Sequence, residues 1–217
     1  MMLTALALPL ALLGMQEGIA ERLDGRVPPD LAALVTQIGS AAAARGLPVD
    51  PLIQKAIEGS AKGIPTDRVG VAVRVVAAQL DSAAAALREA GLAPDTLAIA
   101  AGGFAISAGL NGRDVAQLAK SGAALPALVT GLRVAGTLAA LGVPETENVA
   151  LVRATLHSGR ATAELLALPR QVQAEIAKGT APAQAAEGLA RAAAAQSRHG
   201  PPPGHEHPAH PQRSPHP

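Results

Sequence analysis

The densest group of reactive side chains in this 217-residue sequence is a set of histidines near its C-terminus. Five of the six histidines fall there: His199, His205, His207, His210 and His216. Neutral imidazoles are good ligands for Zn, Ni and Cu, and binding requires them to be unprotonated. We therefore name His205, His207 and His210 as candidate metal ligands and expect weak binding. The alternative is a solvated Pro/His segment with no metal-binding role.

One part of this segment resembles the H-E-x-x-H zinc motif. His205-Glu206-His207 matches its start, but Ala209 stands where the second histidine ligand must be. The surrounding prolines also oppose the helix that would place two such ligands on one face. The sequence therefore does not predict a zinc hydrolase.

Candidate nucleophiles are equally incomplete. Ser107 lies in a stretch similar to the G-x-S-x-G elbow, but Ala105 replaces the first glycine and no strand signal precedes it. His157 and Ser158 are adjacent on a predicted helix, and adjacent helical side chains do not face each other. We name no catalytic residue and predict that the chain is not an enzyme.

The acidic residues have structural explanations. Five aspartates stand at predicted helix N-termini, where capping and the helix dipole favour them: Asp30, Asp50, Asp67, Asp95 and Asp114. Glu58 lies three residues after Lys55 and four before Lys62, which is the spacing of surface ion pairs on a helix.

The composition excludes several classes of site. The chain has no Cys, Trp or Tyr and a single Phe, so it lacks thiolate ligands and the aromatic stacking platforms of single-strand-binding proteins. Its formal net charge is +1, with no basic stripe to neutralise phosphates. No phosphate-binding glycine motif is present. We predict no cofactor and no nucleic-acid partner.

The elements that would position these residues are helices. Apolar residues between 69 and 87 recur at helical spacing, and strand signals are absent. Val71, Val75 and Ala78 form a second apolar strip on the same predicted helix. Two strips are typical of a helix packed between neighbours, so we expect both to be covered.

Glycine and proline divide the chain at regular intervals. A glycine followed within four residues by a proline and an acidic residue marks a junction at Gly46, Gly91 and Gly142, where glycine ends one helix and an acidic first turn opens the next. These junctions define units 46–90, 91–141 and 142–179, each a short helix followed by a longer one. We expect Pro126 and Pro169 to kink or split the later long helices.

The expected fold class is therefore all-α, built from tandem antiparallel helix pairs over residues 21–196. Further helices over about 29–45 and 182–196 flank the three units. The pairs could form a solenoid-like array or close into a compact bundle. Residues 197–217 are predicted to be a disordered Pro/His-rich tail, since they have too few large apolar side chains to bury.

The N-terminus predicts export. Residues 1–15 carry no charged side chain and are too few to span a membrane. We expect a signal peptide over residues 1–20, with cleavage after Ala20 or after Gly14, and a periplasmic or secreted mature chain without an integral span. The alternative is a buried N-terminal helix in a cytoplasmic protein.

A resemblance supports the same interpretation. Residues 46–80, GLPVDPLIQKAIEGSAKGIPTDRVGVAVRVVAAQL, resemble a segment of uncharacterised exported bacterial proteins with an apolar leader and an Ala-rich helical repeat region. The resemblance implies a helical, exported protein. It implies no activity and no site residues.

Together these features predict a non-enzymatic interaction or scaffolding module of the bacterial cell envelope, with a protein partner. Exposed Leu and Val side chains would then mark its binding surface. Two alternatives remain at this point. One is an envelope metal-handling protein that uses the His-rich tail, and the other is a membrane-surface protein held by the N-terminal apolar segment.

Overall fold

The computed structural model describes residues 18–93, 95–157 and 162–198, and every regular element in these ranges is a helix. The all-α prediction is confirmed for them. The helices are α1 (residues 18–23), α2 (Pro29–Ala44), α3 (Asp50–Ala61), α4 (Thr66–Glu89), α5 (Thr96–Ser107), α6 (Gly112–Ala119), α7 (Leu125–Ala140), α8 (Glu145–His157), α9 (Thr162–Ala177) and α10 (Pro182–Arg198).

The three predicted junctions end helices through the same backbone motif. Gly46, Gly91 and Gly142 have φ of 76°, 79° and 83°, in the left-handed region that favours glycine. The next amide in each junction donates to a carbonyl five residues earlier, as in Leu47 N to Ala42 O at 3.0 Å. This is the Schellman ending, and it explains why glycine marks these helix ends.

The two internal prolines have different outcomes. Pro126 lies in the first turn of α7, where its missing N–H is harmless, so the long helix of the second unit is split into α6 and α7 as expected. Pro169 lies inside α9, which continues from Thr162 to Ala177. The helix is therefore not split at this proline. Leu168 and Val172 are buried on either side of the proline, and their packing holds the helix together.

Packing follows the order of the chain. In the described part of the molecule, the helices that pack extensively are neighbours or next neighbours in sequence, such as α4 with α5 and α5 with α7. Among these residues, no extensive contact joins α2 to α10. These contacts match an open array of helices, in which each element is stabilised by those beside it, rather than a closed bundle.

Small residues let the central helices approach closely. The Gly102-Gly103 pair of α5 faces α4, and a Cβ on Gly103 would lie only 2.8 Å from Leu80 Cδ2. A Cβ on Gly136 of α7 would lie 2.6 Å from Phe104 Cε1 of α5. Gly102-Gly103 is therefore a close-packing position within a helix.

Helix α4 is the central element of the N-terminal half. It packs against α2, α3, α5 and α6, and its strip that includes Val69, Val73, Leu80 and Leu87 is buried. Among the described residues, α4 is also the helix long and apolar enough to cross a membrane by length and composition, with 44% of its apolar window buried in the protein. A core helix meets the same criterion, and these contacts make α4 one.

The second apolar strip of α4 is exposed, which corrects the expectation that neighbouring helices cover it. Val71 is 59% exposed and Val75 is 50% exposed, and Ala78 is also at the surface. Helices α3 and α5 flank Val75 without covering it. Packing between the described helices therefore does not explain why this strip is apolar.

Candidate interaction groove

An open groove of about 560 Å³ runs between α3, α4 and α5. Its floor is formed by α4 through Ala72, Val75, Val76, Gln79 and Leu80. One wall comes from α3 and the other from α5. Because Leu80 lies eight positions after Ala72 on the helix, the floor is about 12 Å long at a rise of 1.5 Å per residue.

The α5 wall is apolar. Ala100, Gly103 and Phe104 line it, and Phe104 is 46% exposed. Leu97 stands two turns before Phe104 on the same face and is 60% exposed. The close approach of the Phe104 ring to Gly136 of α7 fixes one edge of the ring and leaves the other at the groove.

The α3 wall is polar at its rim. Gln54, Lys55 and Glu58 line it. Glu58 Oε2 is 3.6 Å from Lys55 Nζ, and the ammonium of Lys62 donates a hydrogen bond to the other carboxylate oxygen. That hydrogen bond, with the positive charges of both lysines, holds the pKa of Glu58 below its ordinary value. The predicted ion pairs of this helix are confirmed.

The groove therefore combines an apolar floor and one apolar wall with a rim of paired charges. Such a surface can bury apolar side chains of a partner while its rim stays solvated, which is the arrangement of many protein interfaces. Helix-in-groove recognition uses the same physical elements: apolar anchors spaced along a helix and a channel between helices.

Of the other candidate residues, Ser107 and His157 lie on different helices. Ser107 ends α5 and its hydroxyl donates to the Phe104 carbonyl at 2.7 Å, so it terminates a helix and is not a strand-to-helix elbow. His157 lies exposed in the last turn of α8. Ser158 lies outside the described residues.

The predicted metal ligands cannot be placed. His205, His207 and His210 lie outside the described residues. Within the ranges that the structure does describe, no three His, Cys, Asp or Glu side chains are grouped so that they could hold a metal ion.

The aspartates at helix starts divide into two kinds. Asp95 is the N-cap of α5, and its Oδ1 accepts from Leu97 N at 2.9 Å and Ala98 N at 3.0 Å. Asp114 completes a capping box with Asn111 at the start of α6. The first-turn aspartates Asp30, Asp50 and Asp67 sit in helices whose N-cap residue makes no side-chain cap hydrogen bond. They face the positive end of the helix dipole.

Comparison with known proteins gives no family to which these features could be assigned: no family model, no curated protein and no solved structure matches the chain. The groove was not identified from the sequence as a site. The signal that the sequence offered was Val75 of the second strip of α4, which lies on the groove floor.

Proposed function

We propose that this chain is a non-enzymatic helical interaction module of the bacterial cell envelope, and that the groove binds an apolar helical segment of a protein partner. The observation that carries the proposal is the exposed Val75 on the groove floor beside the half-exposed Phe104 on its wall. Each large apolar side chain left in water forgoes about 1.5–3 kcal/mol that burial would supply. A partner seated in the groove would cover Val75 and Phe104 and recover much of it.

Export is the second part of the proposal, and the packing of α1 supports one of the two expected cleavage sites over the other. Ile19 is only 4% exposed, and a Cβ at Gly39 of α2 would lie 3.0 Å from Ile19 Cδ1. Arg22 Nη1 is 2.7 Å from Asp50 Oδ1 of α3. Cleavage after Ala20 would remove Ile19, and losing such a buried side chain costs about 2–5 kcal/mol. Cleavage after Gly14 would leave α1 whole, and we propose that site.

Site-specific photo-crosslinking tests the groove. A photoreactive residue is placed at Val75 in one variant and at Leu166 of α9 in another, since Leu166 is 63% exposed but lies in the C-terminal half. We expect a discrete protein adduct from Val75 and none from Leu166. The crosslinked partner peptide should be apolar at helical spacing.

The purified partner then provides the quantitative test. Val75→Glu should weaken its binding by about tenfold or more, because a charge forced into an apolar contact costs more than about 1.4 kcal/mol. Leu166→Glu should leave the affinity unchanged. Equal weakening by both variants, or equal adducts from both positions, would refute the proposal.

A further inference from the structure

We propose that the helical segment bound by the groove carries acidic side chains on the flank that faces α3 and apolar side chains on the flank that faces α5. This inference rests on the proposed function, because it describes the partner of the same groove. It predicts that the groove discriminates between helices by charge as well as by apolar content.

The first argument is the shape of the two walls. Among the described residues, no extensive contact joins α3 to α5, so the groove separates these helices, whereas α5 packs extensively on α7. Each wall is a single helical row at offsets of 0, 3, 4 and 7. The rows are Pro51, Gln54, Lys55 and Glu58 of α3, and Ala100, Gly103, Phe104 and Ser107 of α5. Each row is about 10 Å long at 1.5 Å per residue, which matches about two turns of a partner helix.

The second argument is the charge of the α3 wall. Two ammonium groups share the Glu58 carboxylate: Lys62 donates a hydrogen bond to Oε1, and Lys55 Nζ is 3.6 Å from Oε2. One negative charge therefore stands against two positive charges. The side chain of Lys55 is 43% exposed and lines the groove, so its ammonium group is accessible to a carboxylate of the partner.

Arg68 extends this positive charge along α4. It lies four positions before Ala72 and seven before Val75, on the face of α4 that forms the groove floor. It is exposed, and no carboxylate of the described residues lies within 4 Å of its guanidinium nitrogens. The neighbouring Asp67 lies about 100° around the helix from Arg68, on the side away from Ala72.

The other sides of the groove add no opposing charge. Helix α5 has no ionisable residue in Thr96–Ser107. Asp50 at the start of α3 pairs with Arg22 at 2.7 Å, and Asp81 beyond the floor pairs with Arg45 at 3.1 Å. One flank of a bound helix therefore meets apolar side chains, whereas the other meets an excess of positive charge that acidic side chains complement.

Three synthetic peptides test the inference with the purified, processed protein. They share one leucine stripe at helical spacing, and the same positions on one flank of the stripe carry Glu, Gln or Lys. Fluorescence anisotropy of the labelled peptides measures their dissociation constants at low and at high salt. Lys55→Glu reverses the charge of the α3 wall. Lys178→Glu is the matched control, since Lys178 also pairs with a glutamate three positions away but lies after α9.

We expect the Glu peptide to bind about three- to tenfold more tightly than the Gln peptide at low salt, and the Lys peptide to bind most weakly. The difference should shrink at high salt, because exposed charges are screened. Lys55→Glu should remove or reverse the order, whereas Lys178→Glu should preserve it. Val75→Gln should weaken the binding of all three peptides, because they bind in the groove.

Equal binding of the three peptides, or an order that Lys55→Glu leaves unchanged, would overturn the inference. If Val75→Gln still weakens the peptides in that case, the groove is retained as a binding site that has no charge preference. Binding that Val75→Gln does not weaken would count against the groove itself. Absence of binding by all three peptides would also overturn the inference, and photo-crosslinking from Val75 then decides the proposed function separately.

Discussion

Individual glycines set how closely neighbouring helices approach, and their substitution tests the packing residue by residue. A Cβ on Gly59 of α3 would lie 2.7 Å and 2.8 Å from the two methyl groups of Val69. Val69 is buried, and a β-branched side chain has little rotamer freedom with which to move away. Gly188 of α10, by contrast, has no atom within 4 Å of an added Cβ.

These two glycines give a matched pair of substitutions. Gly59→Ala should destabilise the protein by about 1–3 kcal/mol through overpacking, which outweighs its gain in helix propensity. Gly188→Ala should stabilise it by up to ~1 kcal/mol, because only the propensity changes. Urea unfolding followed by circular dichroism measures both. A stabilised Gly59→Ala variant would contradict the packing described for α3 and α4.

The aspartates at helix starts give a second prediction for single residues. Asp95→Ala removes two hydrogen bonds to backbone amides of α5 and should cost about 0.5–2 kcal/mol. Asp67→Ala removes only a charge near the dipole of α4, where exposed charges contribute about 0.3–1 kcal/mol at low salt. Unfolding at high salt should therefore leave the cost of Asp95→Ala largely intact and reduce that of Asp67→Ala. Equal costs at high salt would show that Asp95 does not act as a cap.

Among the elements, helix ends could be predicted from sequence because their causes are local. Gly46, Gly91 and Gly142 each end a helix through a backbone conformation that other residues avoid. The spacing of Lys55, Glu58 and Lys62 likewise determined their ion pairs, since residues three and four apart meet on any helix. Such features need no knowledge of tertiary structure.

The groove could not be predicted in the same way. Helical periodicity shows that Val71 and Val75 share a face, but it does not show which helix, if any, covers that face. The answer depends on where α2, α3, α5 and α6 pack around α4, and those positions come from contacts distant in sequence. For the same reason, α9 is not split at Pro169, where a local rule predicted a kink or a split.

The histidines of the C-terminal segment give a separate prediction, which concerns zinc binding. If His205, His207 and His210 bind zinc, the full chain should bind it weakly at pH 7.5, and binding should fall as imidazoles protonate below about pH 6.5. Calorimetry should show this binding lost in a variant with all three changed to alanine and retained in His157→Ala. Retention in the triple variant would exclude these three histidines as the ligands.

For the whole molecule, the serial packing of the helices predicts local unfolding. Helix α10 packs on α8 and α9, while α2 packs on α3 and α4. Ala186→Ser places a hydroxyl at a fully buried position of α10, at a cost of about 1–3 kcal/mol. Amide exchange should then accelerate in α8 to α10 and stay unchanged in α2 and α3, because each part of an open array can open separately.

The exposed position Gln184 of the same helix supplies the control, since Gln184→Ser should leave exchange unchanged throughout. Equal acceleration in α2 and α10 after Ala186→Ser would mean that the molecule unfolds as one cooperative unit. That result would favour a closed bundle over the array of contacts described above.

Cysteine labelling shows whether a partner covers the groove in the cell. The chain has no native Cys, so Val75→Cys, Val73→Cys and Leu166→Cys each carry one thiol. In the purified, processed protein, the thiols at the exposed positions 75 and 166 should react rapidly with a maleimide, and the thiol at the buried position 73 slowly. In intact cells we expect the thiol of Val75→Cys to react with the maleimide more slowly than in the purified protein. The thiol of Leu166→Cys should react at the same rate in both. Labelling of Val75→Cys in cells at the rate of the purified protein would contradict the account.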